Sequence, residues 1–394
     1  MNTLFQRVIA GASALATALL VACGGGGSAA TGGTATAQSF ATGPITGLGS
    51  IIVNGVRFDD SKARVENDED GSTHEAKELK LGMMVEVQAG KIDDSTARAA
   101  ASVVRFGSEI VGPVALSDAT AQTIKVLDQT IEIKSTTVFD DSLVGGFAAL
   151  TVGKVVEIHA LFDAASGHYV ATRVEDETGA TAFRLRGTIS ALDTTTKTFK
   201  IGGAIVNFGG IAAADLPALA NDMKVRVRLQ TAQVNSQWVA ISVRSGLKRV
   251  EDHADARVRG LVTAFTSAQH FFVQGIEVDA TNATFEPNAA AVKLGAIVEV
   301  RGAAANGVIT ATRVKVLTGD EDRGMNVELH GDVSALEATA KTFMLREVKI
   351  DFSKVATFKD GTAAQLINGA KVEVKGAWSA DRSVLIAAII EFES

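Results

Sequence analysis

Gly295-Ala296-Ile297-Val298-Glu299-Val300 is a glycine followed by an alternating apolar and polar run. In an extended chain Val298 and Val300 point to one face and Glu299 to the other, because side chains alternate along a strand. The same pattern stands at Gly82-Met83-Met84-Val85-Glu86-Val87, at Gly153-Lys154-Val155-Val156-Glu157-Ile158 and at Gly369-Ala370-Lys371-Val372-Glu373-Val374. A degenerate copy, Asp222-Met223-Lys224-Val225-Arg226-Val227, fills the remaining gap. Starts at 82, 153, 222, 295 and 369 lie 71, 69, 73 and 74 residues apart, so one unit recurs five times.

Two flanking signals keep the same phase. Upstream stands Gly-x-[Ile/Val], as Gly43 with Ile45, Gly112 with Val114, Gly187 with Ile189, Gly260 with Val262 and Gly331 with Val333. Downstream stands an alanine-led strand, at Ala100, Ala171, Ala240, Ala311 and Ala387. Within the fourth unit the pattern predicts five strands: Val258–Phe265, His270–Gln274, Glu277–Ala280, Ile297–Gly302 and Val308–Val316. Between the third and fourth lies Pro287–Leu294; its equivalents Glu75–Leu79 and Ala363–Leu366 have the length of one helical turn. Five strands with that turn is the order of an OB-type barrel, and closure also removes the open edges of a short β unit.

The expected fold is therefore all-β, a tandem array of five small OB-like barrels at 43–107, 108–177, 181–246, 256–318 and 326–394. Neighbours are expected to pack end to end, with bending at Glu175–Ala182, Ser245–Ala256 and Thr318–Asn326. The succession Gly-x-Val, Phe-x-Val, Gly-x-x-Val-Glu-Val and Ala-x-x-Val resembles the domain-of-unknown-function family 5666, tandem β-rich repeats of bacterial envelope proteins. That resemblance covers nearly all of residues 43–393 and implies fold and location without an activity. The third copy departs most, with Asp222 and Arg226 where the others have Gly and Glu. Its turn geometry is open on sequence grounds.

The N-terminus reads as an address. Arg7 precedes a mostly apolar stretch from Val8 to Leu20, the length of a signal-peptide core and too short for an ordinary membrane span. Leu20-Val21-Ala22-Cys23 then resembles the bacterial lipobox, which implies cleavage after Ala22 and lipidation of Cys23. The chain has no other cysteine, so it forms no internal disulfide and no Cys-rich metal site. Residues 1–22 are thus expected to be a signal peptide, and 23–42 a lipidated tether of Gly, Ser, Ala and Thr. Gly24 is not the Asp of the inner-membrane retention signal, which implies the outer membrane in a Gram-negative cell. The expectation is an exported protein, lipid-anchored in the cell envelope.

The whole chain carries a formal charge of −7, and aromatic residues make up only 5% of it. Both facts oppose general nucleic-acid binding, which needs cations for phosphates and exposed rings for bases. Phe199, Phe272 and Phe343 lie at apolar strand positions and are expected in cores, as are Tyr169 and Trp238 at equivalent positions before their landmark alanines.

Catalytic signatures are missing. The chain has no Gly-x-Ser-x-Gly elbow and no phosphate-binding Gly-x-x-x-x-Gly-Lys loop. The histidines, His74, His159, His168, His253, His270 and His330, share no repeat position or metal spacing and are expected on solvated or strand surfaces. No catalytic residue and no cofactor is assigned. Glu66, Asp68 and Asp70 offer oxygens in a loop ending at Gly71 but lack the full calcium-loop pattern, so they are weak calcium candidates. Trp378 lies between the fourth and fifth strands of its unit, in a usual ligand-facing loop of OB folds, and is the candidate ligand contact. Loops such as Asp93–Thr96, Asp163–His168 and Ala303–Asn306 carry the unrepeated residues and are expected to meet an envelope protein or glycan partner. The resulting expectation is a noncatalytic binding or structural module. The alternative is an envelope enzyme, or a small-molecule or haem carrier, with its site between repeats.

Overall fold

The strand circuit of the second unit shows how each barrel closes. In the computed structural model its strands are Ile110–Asp118, Thr123–Val126, Gln129–Phe139, Val155–Asp163 and His168–Asp176. The first three pair as an antiparallel meander. The third then runs parallel to the fifth, with Ile131 opposite Tyr169. The fifth returns antiparallel to the fourth, and the fourth closes on the first, with Val156 opposite Gly112. This 1-2-3-5-4-1 circuit is that of an OB barrel. The other four units repeat it, each with a single 3-10 turn between the third and fourth strands: Ala76–Glu78, Ala213–Asp215, Ala289–Ala291 and Ala363–Gln365, beside Gly146–Ala149 here. The structure describes residues 39–246, 252–317, 327–346, 348–355, 357–379 and 384–393. The signal-like segment, Cys23 and nearly all of the tether lie outside them. Among the described residues no helix is long and apolar enough to cross a membrane.

Alternation builds the cores. Val85 and Val87, Val156 and Ile158, Val225 and Val227, Val298 and Val300, and Val372 and Val374 are all buried, while the residue between each pair is less so in four of the five. Glu373 is the exception and is itself buried. Phe199 and Phe343 are core residues as expected; in the fourth barrel it is Phe271 that is buried, and Phe272 is half-exposed. Bulges in the pairing of its first and second strands shift the phase by one residue. The degenerate copy keeps its turn: Asp222 takes φ +67°, beside +79° at Gly82, +90° at Gly153, +76° at Gly295 and +85° at Gly369. Aspartate is among the few residues whose side chain makes the left-handed region tolerable.

The packing of barrels differs from the end-to-end expectation. The first strand of barrel 1, Ser39–Pro44, pairs on one side with Met84–Ala89 of its own barrel and on the other, in parallel, with His253–Ser267 of barrel 4. Its continuation, Gly47–Leu48, runs parallel to Val327–Glu337 of barrel 5. The physical reason is an edge left open where this strand bends away from its own meander, with glycines that admit another backbone. A Cβ on Gly47 would lie 2.6 Å from the Glu328 carbonyl oxygen, and one on Gly49 would lie 2.3 Å from His330 Cβ. Barrels 2 and 3 join separately, through antiparallel pairing of Ile110 with Leu185 and Val111 with Arg184. Hydrophobic clusters follow the same partition: one spans barrels 1 and 5, and another spans barrels 2 and 3.

Candidate functional site

Where barrels 1, 2, 4 and 5 meet, the surfaces enclose a cleft of about 870 Å³. That volume lies within the range of small-molecule sites. Its apolar walls come from different units: Ile45 and Leu81, Val138 and Leu161, Leu261 and Ile297, Val327 and Trp378. Beneath one wall Met84, Leu161 and Leu261, from barrels 1, 2 and 4, pack into a small cluster of their own. Hydroxyl residues such as Thr46, Ser135 and Thr172 also line it, and Lys134, Arg259, Lys293, Glu132 and Asp163 carry the charges.

The two carboxylates already hold partners. Glu132 pairs with the Lys134 ammonium, and its Oε1 lies 3.0 Å from His168 Nδ1. Burial pushes the Glu132 carboxyl up, but these partners outweigh it and hold the group below the ordinary glutamate range. Asp163 accepts from the Ala165 N–H at 2.9 Å and the Ser166 hydroxyl at 2.8 Å, fixing its own turn. No histidine or cysteine is among the described lining residues. What the cleft offers chemically is apolar area with cations around it.

Trp378 ends the fourth strand of barrel 5, Lys371–Trp378. Its half-buried ring packs on the core shared by barrels 1 and 5 and also forms part of the cleft wall. The indole N–H has no acceptor among the described residues. Glu66, Asp68 and Asp70 do not converge on a cation site. Glu66 pairs with Arg105 and Arg64, both at 3.1 Å; Asp68 Oδ2 lies 2.5 Å from Arg186; and Asp70 accepts the Ser72 N–H at 2.9 Å. The loops expected to reach outward are partly spent inside the molecule. Asp94 binds Arg257 at 2.8 Å and Arg301 at 2.6 Å in barrel 4, and the turn at Asp163 and Ala165 abuts Gly295.

Three histidines expected at surfaces are buried instead, each where barrel 1 meets another barrel. His159 Nδ1, in barrel 2, lies 3.3 Å from Met84 N and 3.1 Å from Gly107 O. His253, entering barrel 4, stacks on Phe40 at 5.5 Å. His330, in barrel 5, has one ring nitrogen 2.5 Å from Glu393 and the other 2.9 Å from Glu328. With Glu373 the last forms a cluster, Glu328, His330 and Glu373, whose ligand atoms lie within 4.8 Å of one another. These are the residues that could hold a metal ion. Arg57 ion-pairs with both carboxylates, and Lys375 lies 2.6 Å from Glu373 and 3.6 Å from Glu328, so an ion-pair network already balances the charge. No repeat signal marks these histidines, because each junction occurs once.

A family model described as domain of unknown function (DUF5666) matches residues 111–175, 259–315 and 330–391. These three segments are DUF5666 repeats. The DUF5666 matches fall on barrels 2, 4 and 5, and barrels 1 and 3 close through the same strand circuit. A search of curated proteins gives no match. Among solved structures, the chain described as "drosophila Unr CSD456" is similar at 13% identity, covering 54% of this chain and 97% of that one, with a TM-score of 0.15. A score that low establishes no common arrangement.

Proposed function

We propose that this protein is a noncatalytic binding module of the bacterial cell envelope, anchored through Cys23, and that it holds an amphipathic ligand in the cleft between barrels 1, 2, 4 and 5. The observation that carries the reading is the cleft itself: about 870 Å³, walled by apolar side chains from four barrels and furnished with three cations. Apolar area supplies affinity at roughly 25 cal/mol per Å² removed from water, and a few placed charges orient the ligand. Both lining carboxylates are engaged in local structure, which favours binding over acid–base chemistry. The haem-carrier alternative would need a free His or Tyr as ligand. The chain's single tyrosine, Tyr169, is buried and donates its hydroxyl to Arg186 O at 2.7 Å.

The test is native mass spectrometry of protein extracted from envelopes, comparing wild type with Leu261→Trp, which fills the cleft, and Trp378→Ala, which opens its wall. Retained small-molecule mass that both variants lose, with unchanged thermal unfolding, supports the reading. Absence of retained mass together with turnover of an envelope substrate replaces it with the enzyme alternative.

A further inference from the structure

Barrel 3 is cationic in a chain that is anionic overall. Residues 181–246 hold Arg184, Arg186, Lys197, Lys200, Lys224, Arg226, Arg228 and Arg244 against only Asp193, Asp215 and Asp222. Five of these cations form a grid on the outer face of three adjacent strands. Arg186 stands opposite Arg226, and Arg226 opposite Arg244; in the next row Arg184 stands opposite Arg228. Like charges directly across an antiparallel pair repel, so anions set against the grid stabilise it.

The chain supplies such an anion from elsewhere. Asp68 and Glu69, in the acidic loop of barrel 1, are held by four of the five arginines. Asp68 Oδ2 lies 2.5 Å from Arg186 and its carbonyl accepts from Arg226 at 2.5 Å. Glu69 Oε2 accepts from Arg184 at 3.1 Å and its carbonyl from Arg244 at 3.2 Å. Barrel 2 adds Glu157, 3.1 Å from Arg184. The loop does not exhaust the donors. The Arg186 side chain is only 12% exposed, yet its Nε and Nη1 have no hydrogen-bond acceptor among the described residues, Glu109 standing 3.8 Å away. Arg228 and Arg244 remain exposed beside it.

We propose that this arginine grid is a binding site for a phosphate-bearing polyanion, and that the barrel 1 loop occupies it as a built-in competitor. Guanidinium groups offer planar forks of donors that match phosphate oxygens, and all five grid positions are arginine although barrel 3 has lysines elsewhere. No aromatic side chain lies in the grid, so recognition runs through phosphates and not through bases. The site also accounts for the anomaly of the third repeat. Where the other units carry Glu86, Glu157, Glu299 and Glu373, barrel 3 carries Arg226, at the centre of the three-arginine row.

The experiment measures binding of labelled inorganic polyphosphate to the full-length protein in nonionic detergent at physiological salt. Neutralising the competitor with Asp68→Asn and Glu69→Gln is expected to raise affinity about tenfold and to steepen its salt dependence. Adding Arg226→Glu, which restores the repeat's usual residue, is expected to remove the gain, whereas Arg226→Lys keeps most of it. Hydrogen exchange at Phe199 and Leu229 verifies in each variant that barrel 3 stays folded. With barrel 3 folded, no gain in the double variant overturns the proposal, and so does a gain that survives Arg226→Glu. Tighter binding of a single-stranded oligonucleotide than of polyphosphate of equal charge would overturn the base-free form of recognition.

Discussion

His159 makes the junction of barrels 1 and 2 sensitive to acid. Its imidazole is fully buried, and burial pushes it from the ordinary 6.5 down to about 4; Arg173 and Arg184 act in the same direction, against Glu175 and the Gly107 carbonyl. When the two barrels part, the ring meets water and regains its ordinary value. A group whose pKa is depressed in the docked state stabilises docking above about pH 6.5, and that contribution is lost as pH falls toward 4. A gap of about 2.5 units at about 1.4 kcal/mol each gives a full loss of about 3 kcal/mol, of which about 2 is reached by pH 5. The local geometry agrees in sign. A protonated Nδ1 donates to Gly107 O and leaves the Met84 N–H, 3.3 Å away, without an acceptor. The assay is hydrogen exchange of the Met84 amide at pH 7 and pH 5, corrected for intrinsic rates, in wild type and in His159→Asn. The asparagine carbonyl can accept from Met84 and does not titrate. The wild type is expected to lose opening free energy on acidification and the variant to hold it. An equal loss in both proteins would refute the reasoning.

Other perturbations separate the roles of equivalent positions. Gly82→Ala and Gly153→Ala share a left-handed backbone, but a Cβ at 82 would lie 2.4 Å from Thr172 O while one at 153 meets nothing within 4 Å. Urea unfolding should therefore show about 1 kcal/mol lost at Gly153 and distinctly more at Gly82. Tyr169→Phe removes the hydroxyl bonded to Arg186 O and should cost about 1–3 kcal/mol by leaving that carbonyl unsatisfied, read as faster exchange at the junction of barrels 2 and 3. Phe343→Ala should cost about 3–5 kcal/mol in barrel 5, measured by calorimetry. Cys23→Ala is expected to abolish labelling by a fatty-acid probe and release the protein from membranes; unchanged labelling would remove the anchor from the proposed function.

Barrel interiors were legible in the sequence because they recur. Val298 and Val300 face inward for the same reason as Val85 and Val87, so five copies reinforce one pattern. Tyr169 and Trp238 were also readable as buried, but their polar tips were not: Tyr169 reaches Arg186 O, and Trp238 Nε1 reaches Asp128 at 3.2 Å, both across the junction of barrels 2 and 3. Junction chemistry occurs once at each place. His159 facing Met84 and Asp68 facing Arg186 join residues that no spacing relates. The calcium reading of Glu66, Asp68 and Asp70 missed the second partner for this reason, although the surplus of cations in residues 181–246 could have been counted. The second edge of barrel 1's first strand, which pairs with barrels 4 and 5, is not legible either, because strand order specifies pairing within a unit and not between units.

Pairing of Ser39 with Asp255 and of Gly47 with Glu328 has a consequence in time. Barrel 1 is the first to be synthesised, yet the strands that complete its edge emerge only with barrels 4 and 5. During that interval a hydrogen-bonding strand stays uncovered, and such edges recruit other chains. Products truncated before barrel 4 would keep the edge permanently, so they should aggregate even though barrels 1 to 3 are each closed.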